Sequence, residues 1–258
     1  MRIPTIRGII DRRILANFRV DPDAIRRVLP PPFRPKLVRG RAIAGICLIR
    51  LKNIRPAFLP PLPALGRGRG RGFPWGIGSE NAAHRIAVEW EENGQTREGV
   101  FVPRRDTSSR LNALAGGRLF PGVQHHAAFT VVETGDYLSV AIVSDDGDTR
   151  VRVAGHVADA LPATSIFTTM AEASQFFEAG AIGYSATPIE GRYDGMELRC
   201  RNWHVEPLAV DTIESSFFQD KSRFPAGSAE FDCALVMRGI DHEWHGREDL
   251  CCAATTAR

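Results

Sequence analysis

Lysine is nearly missing from this chain: Lys36, Lys52 and Lys221 stand against 30 arginines among 258 residues. A reaction that runs through a side-chain amine therefore has few places to happen. No apolar run approaches the roughly 18 residues that a membrane helix needs, and "MRIPTIRGIIDRR" lacks a signal-peptide core. A cytoplasmic protein with no membrane partner is expected. The five cysteines, at 47, 200, 233, 251 and 252, are odd in number and show no metal-ligand spacing, so they read as reduced thiols. A formal net charge of +3 is too small to announce a nucleic-acid partner.

Motifs are scarce as well. There is no GxSxG elbow, no GxGxxG and no P-loop, and no cysteine follows a protease signature. "HEWH" at 242–245 is one residue short of the zinc-protease HExxH and reads as surface near a charged C-terminus. Neither a metal nor a cofactor is expected. "GRGRGRG" at 66–72 lacks the strand-then-helix context of a phosphate loop and reads as part of a mobile loop or lid.

What is present is strand. Alternation or continuous apolar runs mark 13–20, 42–51, 84–92, 96–102, 123–133, 137–144, 149–157, 195–205, 212–218 and 229–239. "DDGD" at 145–148 makes a tight hairpin between two of them. Helices are expected after Asp21-Pro22, over 107–115 with Asp106 or Thr107 as cap, and over 168–179. Residues 54–78, rich in proline and glycine, read as a long loop, and a flexible tail is expected from about 246. Without repeats or a clean linker, the expectation is one α+β domain: a mostly antiparallel, partial β-barrel flanked by a few helices.

Polar residues cluster beside these strands: Glu80, His84 and Arg85 in "SENAAHRI", Arg104, Arg105, Asp106 and Arg110 in "PRRDTSSRL", then Arg118, Gln124, His125 and His126 in "GGRLFPGVQHHAAF". Arginines near a barrel mouth suit a carboxylate by bidentate pairing, and a Glu and a His in a dry cavity can exchange protons near neutral pH. Adjacent histidines on a strand point to opposite faces, so only one can enter a pocket. Phase with Phe129 and Val131 favours His125.

Three blocks in order, "RILANFRVDPDAIRRVLPPPFRPKLVRGRAIAGICLIRLKNIRP", "GVFVPRRDTSSRLNALAGGRLF" and "GYSATPIEGRYDGMELRCRNWHVEPLAV", resemble the YqjF-like family, a domain of unknown function (DUF2071) in the acetoacetate decarboxylase-like superfamily. The resemblance covers most of 13–240 and implies a cone-like, mostly antiparallel barrel with an internal cavity. The superfamily's decarboxylases carry a Schiff-base lysine in a "G-Y-P-K-K" segment. The matching stretch here, "LFPGVQHH", has none, which argues against Schiff-base decarboxylation. The resemblance also implies that Glu80 matches an acidic residue of the superfamily's cavity.

Three functions follow. The first is a barrel binding a small organic acid or apolar metabolite, with Arg105, Arg110, Arg118 and Gln124 as ligand contacts. The second is a lysine-independent lyase, hydratase or isomerase with Glu80 and His125 or His126 as its acid-base pair. The third is a non-catalytic scaffold. A homo-oligomer is expected from the edge strands and from superfamily precedent.

Overall fold

Asp21 ends one element and starts the next. It follows strand β1 (Ile6–Val20), and its carboxylate accepts the N–H groups of Asp23 (2.8 Å) and Ala24 (3.2 Å) at the head of helix α1 (Pro22–Val28). Pro22, which has no N–H to satisfy, occupies the first turn. The structure, a computed structural model, describes residues 4–59, 77–115 and 122–251. Short strands β2 (Arg34–Pro35) and β3 (Leu37–Val38) lead to the long strands β4 (Arg41–Pro56), β5 (Ile77–Glu92) and β6 (Gln95–Thr107). After helix α2 (Arg110–Ala115) come β7 (Gln124–Thr134), β8 (Tyr137–Ser144) and β9 (Arg150–Val157). Helix α3 (Met170–Ala179), capped by the Thr169 side chain, precedes β10 (Ile182–Ala186), β11 (Arg192–Cys200) and β12 (Glu206–Ser215). Helix α4 (Ser216–Gln219), β13 (Ala229–Gly246) and β14 (Leu250–Cys251) complete the described fold.

All these strands except β3 lie along one mixed sheet in the order β14-β11-β10-β6-β7-β8-β9-β12-β13-β1-β4-β5-β2, and β3 pairs β4 from the side. Two more pairings, β5 with β6 and β11 with β13, close this path twice. The result is two rings that share β13, β1, β4, β5 and β6. The larger ring is completed by β7, β8, β9 and β12, the smaller by β10 and β11. Two junctions, β6–β7 and β6–β10, are parallel, and the other pairings are antiparallel.

Double coverage explains why "AIAGICLIRL" is apolar almost throughout. A strand buried on both faces has no solvent side to mark with polar residues. On β4, Ala44, Ile46 and Leu48 join one core cluster, which is filled from the far side by Leu138, Val140, Ile142, Val151 and Val153 of β8 and β9. On the same strand Ile43, Cys47, Ile49 and Leu51 join a second cluster, covered by Phe167 and by Ala173 and Phe177 of α3.

The α+β, mostly antiparallel reading holds, and the sheet curls on itself without being a regular barrel. Several details differ. Asp106 and Thr107 do not cap α2; both are buried on β6, and the Ser109 hydroxyl accepts from Asn112 N at 3.2 Å. Within the expected loop at 54–78, β4 runs on to Pro56 and β5 begins at Ile77; residues 60–76, including the Gly66–Gly72 repeat, lie outside the described residues. "HEWH" is not surface: it continues β13, and His242 is 2% exposed. The stretch 247–251 of the expected tail is held, since Leu250 and Cys251 pair with Tyr193 and Arg192, and Arg192 grips Asp249 at 2.5 Å; the rest of that tail lies outside the described residues.

Candidate functional site

The smaller ring is not filled. On its inner side a cavity of about 150 Å³ opens beneath β1, β4, β5 and β6, closed over by β10, β11, the end of β13 and the turn after α3. Its apolar wall includes Ile49, Leu51, Val102, Met196, Leu198 and Trp244. A cavity of this size takes roughly the volume of a benzene ring.

Its polar wall is cationic. Arg13 of β1, Arg85 of β5 and Arg105 of β6 all line it. Arg13 Nε donates to Cys47 Sγ at 3.2 Å, Arg85 Nη2 to Asn17 Oδ1 at 2.6 Å, and Arg105 Nε to Ser185 Oγ at 2.9 Å. None of the three forms an ion pair among the described residues. Asp194, whose charge reaches Arg105, accepts from Gly122 N at 3.0 Å instead. Burial pushes the guanidinium groups of Arg85 and Arg105 down to about 10, so both stay charged at neutral pH. Arg85 Nε has no hydrogen-bond partner among the described residues.

Among the described residues, the one carboxylate on the wall is already neutralised. Asp106, fully buried, accepts from Arg104 at 2.8 and 3.1 Å. Burial still holds its carboxyl above the usual range, against the pull of Arg104. The same guanidinium also holds Asp146 of the hairpin turn at 2.8 Å. Asp106 thus leaves nothing over to balance the three arginines.

Alternation decides which of the expected site residues reach this cavity. Arg105 and Gln124 line it. Glu80 does not: its neighbours Ser79 and Asn81 face the cavity, so Glu80 faces the other way. There it is clamped between Arg12 Nη2 and Arg50 Nε, both at 2.5 Å, and both arginines also reach Glu133 of β7. His125 does share a face with Ala127, Phe129 and Val131, as expected, but that face turns to the filled larger ring. His125 Nδ1 meets Asp146 at 2.9 Å and His126 Nδ1 meets Asp145 at 2.7 Å. Neither histidine lines the cavity, and the expected Glu-His pair is not assembled. Arg110 is exposed at the start of α2, and Arg118 lies outside the described residues.

Sequence reasoning missed Arg13 and Cys47, and left Arg85 in the polar set without a role. On a strand with two buried faces, adjacent residues such as Arg12 and Arg13 enter different interiors, and nothing local tells them apart. Among the described residues no group of His, Cys, Asp or Glu side chains is arranged to hold a metal ion. No helix there is long and apolar enough to cross a membrane.

Comparison with known proteins agrees with the fold. Acetoacetate decarboxylase from Legionella pneumophila superposes with a TM-score of 0.60 at 12% identity, over 99% of this chain and 90% of that one. The enduracididine biosynthesis enzyme MppR, in a complex with pyruvate, gives 0.56 at 14% identity over 96% and 90%. An acetoacetate decarboxylase-like enzyme from Sphingomonas wittichii RW1 gives 0.56 at 13% over 96% and 92%. No curated protein matches the sequence. The profile of DUF2071, described as an uncharacterized conserved protein, matches residues 10–231. The chain therefore belongs to the DUF2071 family and has an acetoacetate decarboxylase-like fold.

Proposed function

We propose that this protein binds a small carboxylic acid in the cavity of the smaller ring. One observation carries the reading: Arg13, Arg85 and Arg105 line one cavity, and none of them forms an ion pair among the described residues. Buried cations are stable when an anion meets them, and a guanidinium presents the planar fork that a carboxylate fits. The apolar wall suits a short hydrocarbon body, and the volume limits it to a handful of heavy atoms. MppR, a protein of similar fold, is seen with pyruvate, an acid of this size.

Calorimetric titration with propanoate, pyruvate and benzoate, each beside its neutral amide, tests the reading. The acids are expected to bind and the amides not. Arg85→Met or Arg105→Met should weaken the best acid by roughly 10- to 100-fold, the usual worth of a charge-assisted hydrogen bond. Equal affinity for acid and amide, or no binding by any acid tried, sinks the proposal.

A further inference from the structure

Cys47 is the nucleophilic side chain on the cavity wall that the binding reading leaves unused. It stands on β4 between Ile46 and Leu48, which face the other core, and it is 7% exposed. Its sulfur is not adrift in a greasy pocket, because Arg13 Nε points at Sγ from 3.2 Å. Opposite Cys47 in the β4–β5 register lies Ala83, a small residue that leaves the sulfur open, and Arg85 stands two residues further along the same face. Arg85 is itself 7% exposed, and its Nε has no acceptor among the described residues while its Nη2 is committed to Asn17. A buried donor left unmet beside a sulfur and two further cations is waiting for an acceptor atom of a ligand.

We propose that Cys47 is a covalent site for a carbonyl-bearing carboxylic acid, of which a 2-oxo acid is the simplest. The inference rests on the carboxylate reading above, because the arginines must first bring the acid in. With the carboxylate held by the guanidinium groups, the adjacent carbonyl carbon lies beside Sγ. The sulfur then forms a bond to that carbon, and the carbonyl π pair moves onto oxygen. The oxygen takes the proton that the thiol gives up. The product is a hemithioketal, and the reverse steps release acid and thiol unchanged, so no oxidant or other reactant is needed. Arg85 Nε is the free donor for the developing oxyanion. Binding supplies the proximity that makes such a weak addition observable.

The other described cysteines offer internal references. Cys233 is fully buried, and burial raises its thiol as it does that of Cys200. Cys251 is exposed and does not line the cavity. Two reagents of the same chemistry and opposite charge make the first measurement: iodoacetate and iodoacetamide, read by peptide mapping and normalised to the rates of the urea-unfolded protein. Each alkylates sulfur with loss of iodide. Cys47 is expected to favour the anionic reagent by roughly tenfold or more, while Cys251 shows no such preference. Carbon-13 NMR of [2-13C]pyruvate makes the second. A protein-bound tetrahedral carbon signal should appear with the natural protein and vanish with Cys47→Ala.

If pyruvate binds by calorimetry in both proteins but no tetrahedral signal arises, the covalent site is overturned and the carboxylate reading stands. If neither protein binds any acid, both fall. A Cys47 that prefers iodoacetamide also overturns the proposal, and that result needs no variant to fold.

Discussion

His84 shows how a residue can be chemically suggestive and still belong to the core. It is 1% exposed, its ring centroid lies 4.8 Å from that of Phe217, and neither ring nitrogen has a partner among the described residues. Burial, with the charges of Arg104 and Arg223 added, lowers its pKa from 6.5 to about 3. In the unfolded chain the ring takes a proton near 6.5, while the folded protein refuses it. Between those two values the unfolded state binds more protons, so stability falls as the pH drops. From pH 7 to pH 5 this one residue should remove about 2 kcal/mol. His84→Phe, which fits the phenylalanine-rich surroundings, should flatten that part of the curve by the same amount. Urea titrations at the two pH values check it; an unchanged slope in the variant would show that the acid loss comes from elsewhere, His242 being the other buried ring held neutral.

Strand β4 carries the constraint that joins the two interiors. Gly45 on β4 leaves no room for a side chain against β1: a Cβ built there would lie 2.4 Å from Ala16 O and 3.1 Å from Asn17 Oδ1. The first of these is backbone in a ladder paired on both sides and cannot swing away. Gly45→Ala should therefore cost about 1–3 kcal/mol as overpacking. It should also weaken acid binding, because Asn17 is the group that anchors Arg85. A variant with the natural denaturation midpoint would show that the strands can part here at little cost. The same strand marks how far the sequence could be read. Its existence, the Asp21 cap and the hairpin at 145–148 follow from local pattern. Its facing does not, since Ile46 and Cys47 look equally internal yet serve different cores. Arg105 and Gln124, named from the sequence as ligand contacts in a polar cluster beside the strands, do line the cavity. Arg13, Arg85 and Cys47 were not so named, and Glu80 fell on the wrong side by one residue of alternation.

The two rings are not closed equally well, and this bears on how a ligand enters. The larger ring is sealed by long hairpins, β7 with β8 and β8 with β9, packed over a continuous apolar core. The smaller ring depends on β10, whose parallel contact with β6 spans Gly183 to Ser185, and on the β11–β13 pairing from Met196 to Cys200. The cavity lies under those two strands, so fewer apolar contacts resist their opening. Local opening favours segments with short ladders and little buried surface. Amides of β10 and β11 should therefore exchange hydrogen faster than those of β1 and β4. A carboxylic acid that binds the three arginines bridges β1, β5 and β6 from beneath and holds the cover shut. Its addition should slow exchange in β10 and β11 while leaving β8 and β9 as they were. At a ligand concentration about a hundred times its dissociation constant, global stability should also rise by about 2.7 kcal/mol. Uniform protection across both rings in the free protein would mean the cover is as firm as the core. The acid would then have to enter by another path, and the mouth between α3 and the sheet, where Lys36 and Glu98 pair at 2.5 Å beside Arg85, would be the one to open.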